Sequence, residues 1–520
     1  MEPDTSIGFV RKTTQRKNNR WVKIRKVSQY IFLISTVILL FGMRGFEWPS
    51  RLLNLPIQLD PLLFFANLLA SRIVPAVAIF SILTLFFTVI FGRAWCGWIC
   101  PLGTIIDLIT PGKTKKKPVN GHKIPDNWRA LKLLLLASII LLALWGNLTL
   151  LIFDPITIFF RFITLSFIPG LDFSITQVER FLSNIPIASE LVGRFDEFLR
   201  PLIFPYFPIY YRNAWVFTVI LAGILVLNWL APRFWCRYLC PLGGLLGLVS
   251  KLAFFQRRVK SDCHLCGVCE RSCPLGTIDP NNNYASDPAE CTLCMECLPA
   301  CPRGSNQFAF GLNPVVWKDY DPDRRQFLAT IGVTAISAVL VATTSDLSRN
   351  KYSLLPPGST RHDMLTKCLR CSACMRVCPT GALQPSIIDS GIENIWTPVM
   401  IPRIGYCDYS CNNCGGICPV EAIPLLDLEE KRRQVIGKAQ IDRDRCIAWA
   451  ENQDCIVCEE MCPLPQKAIT LERTLVTTAH GNSISVQLPY VDREICIGCG
   501  ICEFKCPVIG EAAIRVYPIS

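Results

Sequence analysis

The middle of the chain reads Asp321-Pro322-Asp323-Arg324-Arg325-Gln326-Phe327-Leu328-Ala329-Thr330 and continues through Ile331-Gly332-Val333 to Thr344. No charged residue lies between Gln326 and Ser345, about the ~20 residues that a bilayer-spanning helix needs. Long apolar blocks precede this stretch, and a polar region rich in cysteine follows it. The stretch therefore predicts a spanning helix at 323–348 that joins a membrane domain to a soluble domain.

Composition and charge agree with this division. The chain has 520 residues, of which 51% are hydrophobic, and its net charge is +12. From Asn350 onward there are 17 Lys/Arg and 19 Asp/Glu, a net charge of −2, so the first 349 residues carry +14. The basic excess thus belongs to the apolar half, which favours the positive-inside effect over binding to nucleic acid.

The apolar half predicts a polytopic α-helical domain at 27–260. Residues 1–26 form a basic tail that we expect to stay in the cytoplasm and to orient the first span, Val27–Met43. Further uncharged blocks of spanning length lie at Ile73–Gly92, Leu133–Phe153 and Asn213–Pro232. The second and fourth spans then return to the cytoplasm at Arg93 and Arg233. With the helix at 323–348, the chain is predicted to have about five spans.

An internal repeat marks the ends of the second and fourth spans. Trp95-Cys96-Gly97-Trp98-Ile99-Cys100-Pro101-Leu102-Gly103 recurs as Trp235-Cys236-Arg237-Tyr238-Leu239-Cys240-Pro241-Leu242-Gly243. The spacing i, i+4 would put both thiols of a pair on one face of a helix. Brought together, Cys96, Cys100, Cys236 and Cys240 would offer four thiolates to one metal centre. The alternative is a pair of reduced structural or redox-active dithiols.

A segment at 261–305, which we expect to lie in the cytoplasm, holds two copies of the spacing C-x2-C-x2-C-x3-C-P. This spacing is typical of ferredoxins that bind two [4Fe-4S] clusters, in which the fourth cysteine of each motif crosses to the other cluster. One predicted ligand set is Cys263, Cys266, Cys269 and Cys301, and the other is Cys291, Cys294, Cys297 and Cys273. His264 is expected to be a spacer, because four thiolates complete each set without it.

The region 350–520 holds sixteen further cysteines in four motifs, each ending in Cys-Pro, after a linker at Pro356–Ser359. The motifs are Cys368, Cys371, Cys374 and Cys378; Cys407, Cys411, Cys414 and Cys418; Cys446, Cys455, Cys458 and Cys462; and Cys496, Cys499, Cys502 and Cys506. They suit four [4Fe-4S] clusters, which brings the predicted total to six. The repeated spacing argues against a disulfide scaffold, whose spacing is irregular.

Other redox cofactors lack their signatures. His122, His264, His362 and His480 lie outside the predicted spans, and no C-x-x-C-H motif occurs, so no haem is expected. Neither a dinucleotide fingerprint nor a phosphate-binding loop is present in the sequence.

Two resemblances follow from these motifs. Over Val27–Arg303, the four spans, the two Trp-Cys-x3-Cys-Pro repeats and the two-cluster segment resemble the NapH family and the membrane part of NosR-type proteins. From Asp323 to the C-terminus, the chain resembles the NapG/MauM ferredoxin-type family, whose members carry a twin-arginine signal ahead of four cluster motifs. Arg324 and Arg325 would then direct export of a folded domain, although they would equally serve as inside anchors of an ordinary span.

The resemblances imply cluster pairing and function. They imply that motif one pairs with motif four and motif two with motif three, so that Cys506 would join Cys368 and Cys462 would join Cys407. They also imply a multi-pass protein of the inner membrane that relays electrons from quinol to an extracytoplasmic reductase or cytochrome, with the domain at 350–520 outside. The alternative is an accessory factor that matures or activates a partner metalloenzyme.

A quinol site would need proton acceptors at the outer membrane edge. The segment Asp154–Arg212 is predicted to form one or two helices that lie at the outer interface. Its acidic residues are the candidates: Asp154, Asp172, Glu179, Glu190, Asp196 and Glu197. The sequence does not single out one of them.

Overall fold

The computed structural model of the protein describes residues 5–45, 49–74, 78–109, 126–185, 189–190, 193–194, 197, 208–311, 332, 353–387, 391–477 and 483–519. Of the predicted span at 323–348, only Gly332 is among them, so that prediction and the arginine pair lie outside the described residues.

The first half of the chain folds into a helical domain. Its α-helices are α1 Thr5–Gly45, α2 Ser50–Leu53, α3 Leu55–Gln58, α4 Pro61–Ser71, α5 Ala78–Phe91, α6 Ala94–Trp98, α7 Pro101–Ile109, α8 Ala130–Leu144, α9 Pro155–Phe162, α10 Ile168–Ser183, α11 Ala214–Val226 and α12 Pro241–Ser250. Short 3-10 helices lie at Asp126–Arg129, Thr149–Phe153 and Leu227–Trp229, and π-helical turns lie at Ile163–Phe167 and Trp235–Leu239.

Two helical segments of the described chain are long and apolar enough to cross a membrane, Arg20–Met43 and Pro155–Ser183. The predicted second, third and fourth spans contain the shorter apolar helices α5, α8 and α11. These helices are short because their ends are broken: Gly92 and Gly146 adopt positive φ, and α11 tightens into a 3-10 turn. In the described residues, the helices at the predicted second, third and fourth spans are therefore shorter than the prediction of four full spans requires.

The helix Pro155–Ser183 also differs from the prediction for its segment. The segment was expected to lie at the outer interface, yet α9, the π-turn and α10 form one continuous helix of 29 residues with the hydropathy of a spanning segment. Its first half is buried, including Phe159 and Phe160. The apolar residues of α9 thus belong to the core of the helical domain.

The region from Phe255 to Phe310, which we call the inner ferredoxin region, is closed by a pair of antiparallel strands. Its elements are β1 Phe255–Val259, α13 Val268–Arg271, β2 Ile278–Asp279, β3 Ala285–Ser286, α14 Cys297–Ala300 and β4 Asn306–Phe310. β1 pairs with β4 in the register Phe255↔Phe310 to Val259↔Asn306, so both cysteine motifs lie between the paired strands.

Residues 353–519, which we call the outer ferredoxin region, form two units in succession, of which the second is closed by paired strands in the same way. The first contains α15 Arg361–Thr366, α16 Ala373–Val377, β5 Leu383–Pro385, β6 Pro398–Met400 and α17 Asn413–Ile417. The helix α18 Leu428–Arg433 leads to the second unit, which contains β7 Lys438–Ile441, α19 Ile447–Ala450, α20 Val457–Glu460, β8 Ile469–Thr477, β9 Ser483–Val491, α21 Ile501–Lys505 and β10 Ile514–Tyr517. β7 pairs with β10, just as β1 pairs with β4.

The two ferredoxin regions contact different parts of helix α1. Near the middle of α1, Arg25 forms an ion pair with Glu296 of the inner region, at 3.3 Å. Near the C-terminal end of α1, the Leu40 carbonyl accepts a hydrogen bond from Arg376 of the outer region, at 3.3 Å. Fifteen residues separate these contacts, which is about 22 Å along a helix. The helical domain therefore lies between the two ferredoxin regions.

Candidate metal centres

Four cysteines from motifs one and two surround one cavity. Its volume is about 400 Å³, and its cysteines are Cys368, Cys371, Cys374 and Cys418. Cys371 follows Arg370, which has positive φ, and α16 begins at Ala373, so the loop and the helix start turn three thiols toward the same space. Cys418 follows the end of α17, which packs against α16.

A second cavity of about 370 Å³ is surrounded by cysteines from motifs three and four. These are Cys446, Cys455, Cys458 and Cys506. Cys446 lies just before α19, and Cys506 ends α21, which packs against α20. The long gap between Cys446 and Cys455 is therefore accommodated without removing either residue from the set.

The remaining outer cysteines form two further groups. Cys378 lies near Cys407, Cys411 and Cys414, and Cys462 lies near Cys499 in the group that also contains Cys496 and Cys502. Each group again takes three cysteines from one motif and the fourth from its neighbour.

This arrangement corrects the predicted pairing. Motif one pairs with motif two, and motif three with motif four, so Cys418 rather than Cys506 completes the set of Cys368. The reason is that each successive pair of motifs folds as a local unit: α16 packs against α17, and β7 pairs with β10 around motifs three and four. The sequence alone allowed either pairing, since all four motifs end in the same Cys-Pro.

The cavities fit a cluster better than a single ion. In the described part of the chain, no three His, Cys, Asp or Glu side chains converge closely enough to hold one metal ion. A [4Fe-4S] cluster instead fills the space between its four thiolates. A cavity lined by four cysteines is the arrangement that such a cluster requires, and motifs one and two, and motifs three and four, each supply one.

Burial keeps these cysteines protonated when no metal is bound. It raises the pKa of Cys368 to about 11 and the pKa of Cys371 to about 12. Ligand thiols must lose their protons to bind iron. Cluster insertion at this site would therefore release protons from a buried pocket.

In the inner region, contacts among some of the cysteines agree with the predicted sets. Cys269 lies near Cys301, and Cys273 lies near Cys291 and Cys297. His264 is exposed in the ligand loop, and its role as a spacer stays a prediction.

The two Trp-Cys repeats bring four thiols together inside the helical domain. Cys100 and Cys240 each lie near Cys96 and Cys236, and we call the four residues the cysteine tetrad. The prediction that both thiols of a pair lie on one helix is wrong, because α6 ends at Trp98 and the π-turn ends at Leu239. Instead Cys100 and Cys240 precede α7 and α12, and their Sγ atoms accept hydrogen bonds from Gly103 and Gly243, at 3.5 and 3.2 Å.

Two buried arginines flank the tetrad and were not predicted. Arg93 and Arg233, which precede the first cysteine of each repeat by three residues, are 1% and 2% exposed. Arg93 lies near the thiols of Cys96 and Cys240, and Arg233 lies near that of Cys236. Their equal offset in the two repeats was the signal that could have identified them.

The inner region approaches the tetrad closely. A Cβ on Gly97, between Cys96 and Cys100, would lie 2.1 Å from the Thr292 carbonyl oxygen, and one on Gly247 would lie 2.9 Å from that of Ala289. Thr292 follows Cys291 directly. Only glycine allows this backbone contact between the helical domain and the inner ligand loop.

The candidate carboxylates of the outer segment differ in burial. Asp154 and Asp172 are buried, whereas Glu190 and Glu197 are exposed, Glu179 is half-buried and Asp196 lies outside the described residues. Asp154 lies beside Asp60, a residue that the sequence analysis missed. Each of these aspartates is followed by proline and caps a helix, and this repeated Asp-Pro pair was the available signal.

Comparison with known proteins identifies iron–sulfur domains in both halves of the chain. A family described as a 4Fe-4S binding domain matches residues 73–118 and 213–261, which contain the two halves of the tetrad. A second family, also described as a 4Fe-4S binding domain, matches residues 364–384 and 489–508, which contain motifs one and four. No solved structure matches the chain.

Curated relatives are ferredoxin-type proteins. The methylamine utilization ferredoxin-type protein MauM of Methylorubrum extorquens is 33% identical over 212 residues, which are 39% of this chain and 91% of that protein. MauM of Paracoccus denitrificans is 32% identical over 38% of this chain and 84% of that protein. The ferredoxin-type protein NapG of Escherichia coli is 30% identical over 38% of this chain and 86% of that protein. The chain therefore belongs to the family of MauM and NapG ferredoxin-type proteins.

Proposed function

We propose that the protein is a membrane-bound electron carrier that relays electrons from quinol to an extracytoplasmic reductase or cytochrome. The observation that carries this proposal is the position of the cavity lined by Cys368, Cys371, Cys374 and Cys418. Cys371, Leu369 and Ile417 belong to the same apolar core as Phe159 and Trp95 of the helical domain. A redox group in this cavity would therefore lie against the helices rather than on a distant soluble domain.

The proposed cofactors are six [4Fe-4S] clusters. The inner sets are Cys263, Cys266, Cys269 and Cys301, and Cys291, Cys294, Cys297 and Cys273. The outer sets are Cys368, Cys371, Cys374 and Cys418; Cys378, Cys407, Cys411 and Cys414; Cys446, Cys455, Cys458 and Cys506; and Cys462, Cys496, Cys499 and Cys502. Such clusters supply one-electron transfer, while the protein sets their potentials through burial, charge and hydrogen bonds to sulfur.

The tetrad is proposed as a further iron–sulfur centre. Its support is the approach of four thiols and the match of both repeats to a 4Fe-4S binding domain. Arg93 and Arg233 would offset the negative charge of the thiolates. Replacing all four cysteines by serine should lower the iron and acid-labile sulfide content, and an unchanged content would contradict a cluster there.

The membrane location is also a proposal. It is supported by the two helices of spanning length, the apolar blocks and the placement of the ferredoxin regions at opposite ends of the helical domain. We propose that the helical domain resembles NapH-family components and that Arg324 and Arg325 serve as a twin-arginine signal. Replacing both arginines by lysine should leave the outer region on the inner side, and unchanged export would contradict the signal.

The experiment for the proposed function is low-temperature EPR of the purified, detergent-solubilised chain before and after anaerobic addition of a reduced menaquinol analogue. We expect [4Fe-4S]⁺ signals to grow with quinol. If dithionite reduces the clusters but quinol does not, the relay is contradicted and a role as an accessory factor for a partner metalloenzyme is favoured.

A further inference from the structure

The two units of the outer ferredoxin region meet at two of the proposed cluster ligands. The Cys407 amide donates a hydrogen bond to the Cys499 carbonyl, at 2.8 Å. Cys407 belongs to what we call the second set, which is Cys378, Cys407, Cys411 and Cys414. Cys499 belongs to what we call the third set, which is Cys462, Cys496, Cys499 and Cys502. The contact between the units therefore joins one ligand loop directly to another.

The segment that connects the two units is fixed to the same ligand loop. Gly437 lies so close to Gly498 that a Cβ on Gly498 would be 2.3 Å from the Gly437 carbonyl oxygen. The neighbouring Ile436 amide donates to the Ile497 carbonyl, at 2.9 Å. Because residues 436 and 437 follow α18 closely, this contact also fixes α18 beside the third set.

A buried lysine of α18 lies at this junction. Lys431 is 5% exposed. Its ammonium group lies near the thiols of Cys407 and Cys411 in the second set and near that of Cys499 in the third set. The positive charge of Lys431 is therefore placed between two proposed clusters.

Two successive side chains of α18 hold this position. The Lys431 ammonium donates a hydrogen bond to the Asp408 carbonyl. The Arg432 guanidinium donates to the Tyr409 carbonyl, at 3.4 Å, and lies 4.6 Å from the centre of the Tyr409 ring. Asp408 and Tyr409 follow Cys407 directly, so α18 is attached to the ligand loop of the second set.

Lys431 has no carboxylate partner within the part of the chain that the structure describes. There its ammonium contacts only the Asp408 carbonyl and the Cys407 thiol. A buried charge without an opposite charge is costly in free energy. A [4Fe-4S] cluster with four thiolate ligands is anionic, so clusters in the second and third sets would supply the missing negative charge.

The inner ferredoxin region contains the same arrangement. Arg257 is 8% exposed and lies near Cys269 of one inner set and near Cys291 and Cys297 of the other. Its guanidinium donates to the Tyr284 carbonyl and to Asn306 Oδ1, both at 2.6 Å, while its Nε atom has no hydrogen-bond partner. A buried cation between two cysteine sets thus occurs in both ferredoxin regions.

We propose that electrons cross between the two outer units at the junction of Cys407 and Cys499, and that the charge of Lys431 favours the reduced state of the clusters on both sides. The inference rests on the proposed function and assigns an order to its outer clusters. Net charge beside a cluster is one of the factors that set its reduction potential.

Contacts between neighbouring sets give this order. Cys374, in the set that packs against the helical domain, lies near Cys414 of the second set. On the other side of the junction, Cys502 of the third set lies near Cys458, whose set also contains Cys446, Cys455 and Cys506. The junction at Lys431 therefore lies in the middle of a succession of four sets that begins at the helical domain.

The step at the junction is the transfer of one electron. No bond forms or breaks and no proton moves. One set passes from the [4Fe-4S]⁺ to the [4Fe-4S]²⁺ state while its neighbour undergoes the reverse change, so donor and acceptor are both of the iron–sulfur class. Because Lys431 lies near both sets, it stabilises the added negative charge on either side and does not confine the electron to one of them.

The test is a redox titration of the full chain in detergent, followed by EPR. The signals of the second and third sets are identified as those that Cys411→Ser and Cys462→Ser remove. We expect Lys431→Met to weaken the affinity of both clusters for an electron at least ~10-fold, which lowers each potential by about 59 mV. This readout does not depend on quinol or on a partner protein.

Two further variants serve as controls. Lys431→Arg keeps the charge and should restore both potentials to values near those of the wild type. Lys467→Met removes the same charge from an exposed lysine that pairs with Glu459, at 2.6 Å, and solvent screens such a charge. We expect both potentials in Lys467→Met to match the wild type.

Unchanged potentials in Lys431→Met, or equal shifts in Lys467→Met, would overturn the role of Lys431. A shift in only one of the two signals would overturn its position between the sets. Should Lys431→Met lose iron, the wild type decides. Spin relaxation of the second set should be faster when the third set is also reduced, and Cys462→Ser should abolish this acceleration. Relaxation that is indifferent to the third set would contradict the junction.

The outcomes also separate the junction from the proposed function. If quinol reduces the wild type but Lys431→Met leaves both potentials unchanged, the inference is wrong and the function stands. If both potentials fall as expected but quinol never reduces the clusters, the function is wrong and the junction stands.

Discussion

At its inner end the helical domain meets the ferredoxin region through buried ion pairs as well as apolar packing, whereas at its outer end it does so through apolar packing and hydrogen bonds to carbonyls. In the inner interface, Glu290 is held by Arg93, at 3.2 Å, and by Lys132, with all three side chains buried. In the outer interface, Asn54 donates to the Ile417 carbonyl, at 2.5 Å, and the Arg161 guanidinium lies 4.3 Å from the centre of the Trp396 ring.

The two interfaces differ in the interactions that hold each ferredoxin region against the helical domain. Buried ion pairs fix orientation but cost desolvation, so they do not by themselves imply a strong interface. Apolar packing provides most of the energy of association. In the outer interface that packing includes Cys371 and its neighbours, so a cluster site is part of the interface itself. In the inner interface the cysteine loops approach the helices through Gly97 and Gly247.

The largest expected effect comes from removing a ligand in the outer interface. Cys418→Ser should remove the cluster of Cys368, Cys371 and Cys374 and loosen the outer region from the helices, because the ligand set is continuous with the core. Cys506→Ser should remove a cluster that lies in the second outer unit. EPR and iron content, with amide hydrogen exchange of α16 and α17, measure both effects.

The motif pairing is decided by the same two variants. If Cys506→Ser removes the EPR signal of the cluster that contains Cys368, while Cys418→Ser leaves it, motifs one and four pair after all. The observed grouping would then be wrong.

A large effect is also expected from breaking the inner interface. Glu290→Ala leaves Arg93 and Lys132 buried without their carboxylate, and loss of one partner from a buried pair typically costs about 3–5 kcal/mol. Amide exchange should increase in the inner region and remain unchanged in the outer region. Glu511→Ala is the control, since Glu511 pairs with Arg515 in an exposed position, and its effect should be below ~1 kcal/mol. Equal exchange increases at both ends would contradict the independence of the two interfaces.

A moderate effect is expected from a single hydrogen bond across the outer interface. Asn54→Ala leaves the buried Ile417 carbonyl without its donor, at a cost of about 1–3 kcal/mol. Asn412→Ala is the matched control, because the Asn412 amide donates to the Leu426 carbonyl, at 2.8 Å, within the outer region. Amide hydrogen exchange in α17 should be faster in Asn54→Ala than in the wild type. If only the control loosens α17, Asn54 does not support the interface.

The smallest expected effect is that of pH on the stability of the inner interface around Asp107. Burial would raise the pKa of Asp107, but Arg233, Gln29 and Arg25 lower it to about 2. An aspartate with a lowered pKa stabilises the fold fully above its ordinary value of about 3.9 and loses this contribution only as the pH falls through about 2.

Amide hydrogen exchange in α7 should therefore be equally protected at about pH 7 and about pH 4.5, once the pH dependence of the intrinsic exchange rate has been corrected for. Asp107→Asn should show faster exchange at both pH values, because Arg233 and Arg25 lose their partner carboxylate. Faster exchange of wild-type α7 at the lower pH alone would show that Asp107 titrates higher than its contacts indicate.

The sequence predicted the local features of the site better than its tertiary features. Motif spacing identified the cysteines, because cluster ligation imposes the same local loop on every chain that binds one. It did not identify their partners across motifs, because Cys418 and Cys506 have the same local sequence, Cys-Pro-Val. That choice depends on which helices pack together, as α16 does with α17.

The helical domain shows the same limit. Apolar blocks predicted helices at Ile73–Gly92 and Asn213–Pro232, but the breaks that shorten α5 and α11 depend on backbone conformations at Gly92 and Leu227–Trp229. Asp60 lay outside the segment searched for proton acceptors, since its proximity to Asp154 arises only when α4 and α9 are assembled. Long-range packing, which local sequence does not encode, accounts for the missed proximity of Asp60 and Asp154.

We propose that electrons from quinol enter the protein at the set formed by Cys368, Cys371, Cys374 and Cys418. Freeze-quench EPR of the full chain in liposomes, after rapid mixing with a menaquinol analogue, tests it most directly. We expect the first signal to appear to be the one that Cys418→Ser removes. If that signal appears after those of the inner region, or never appears while dithionite still produces it, electrons enter elsewhere and the claim is contradicted.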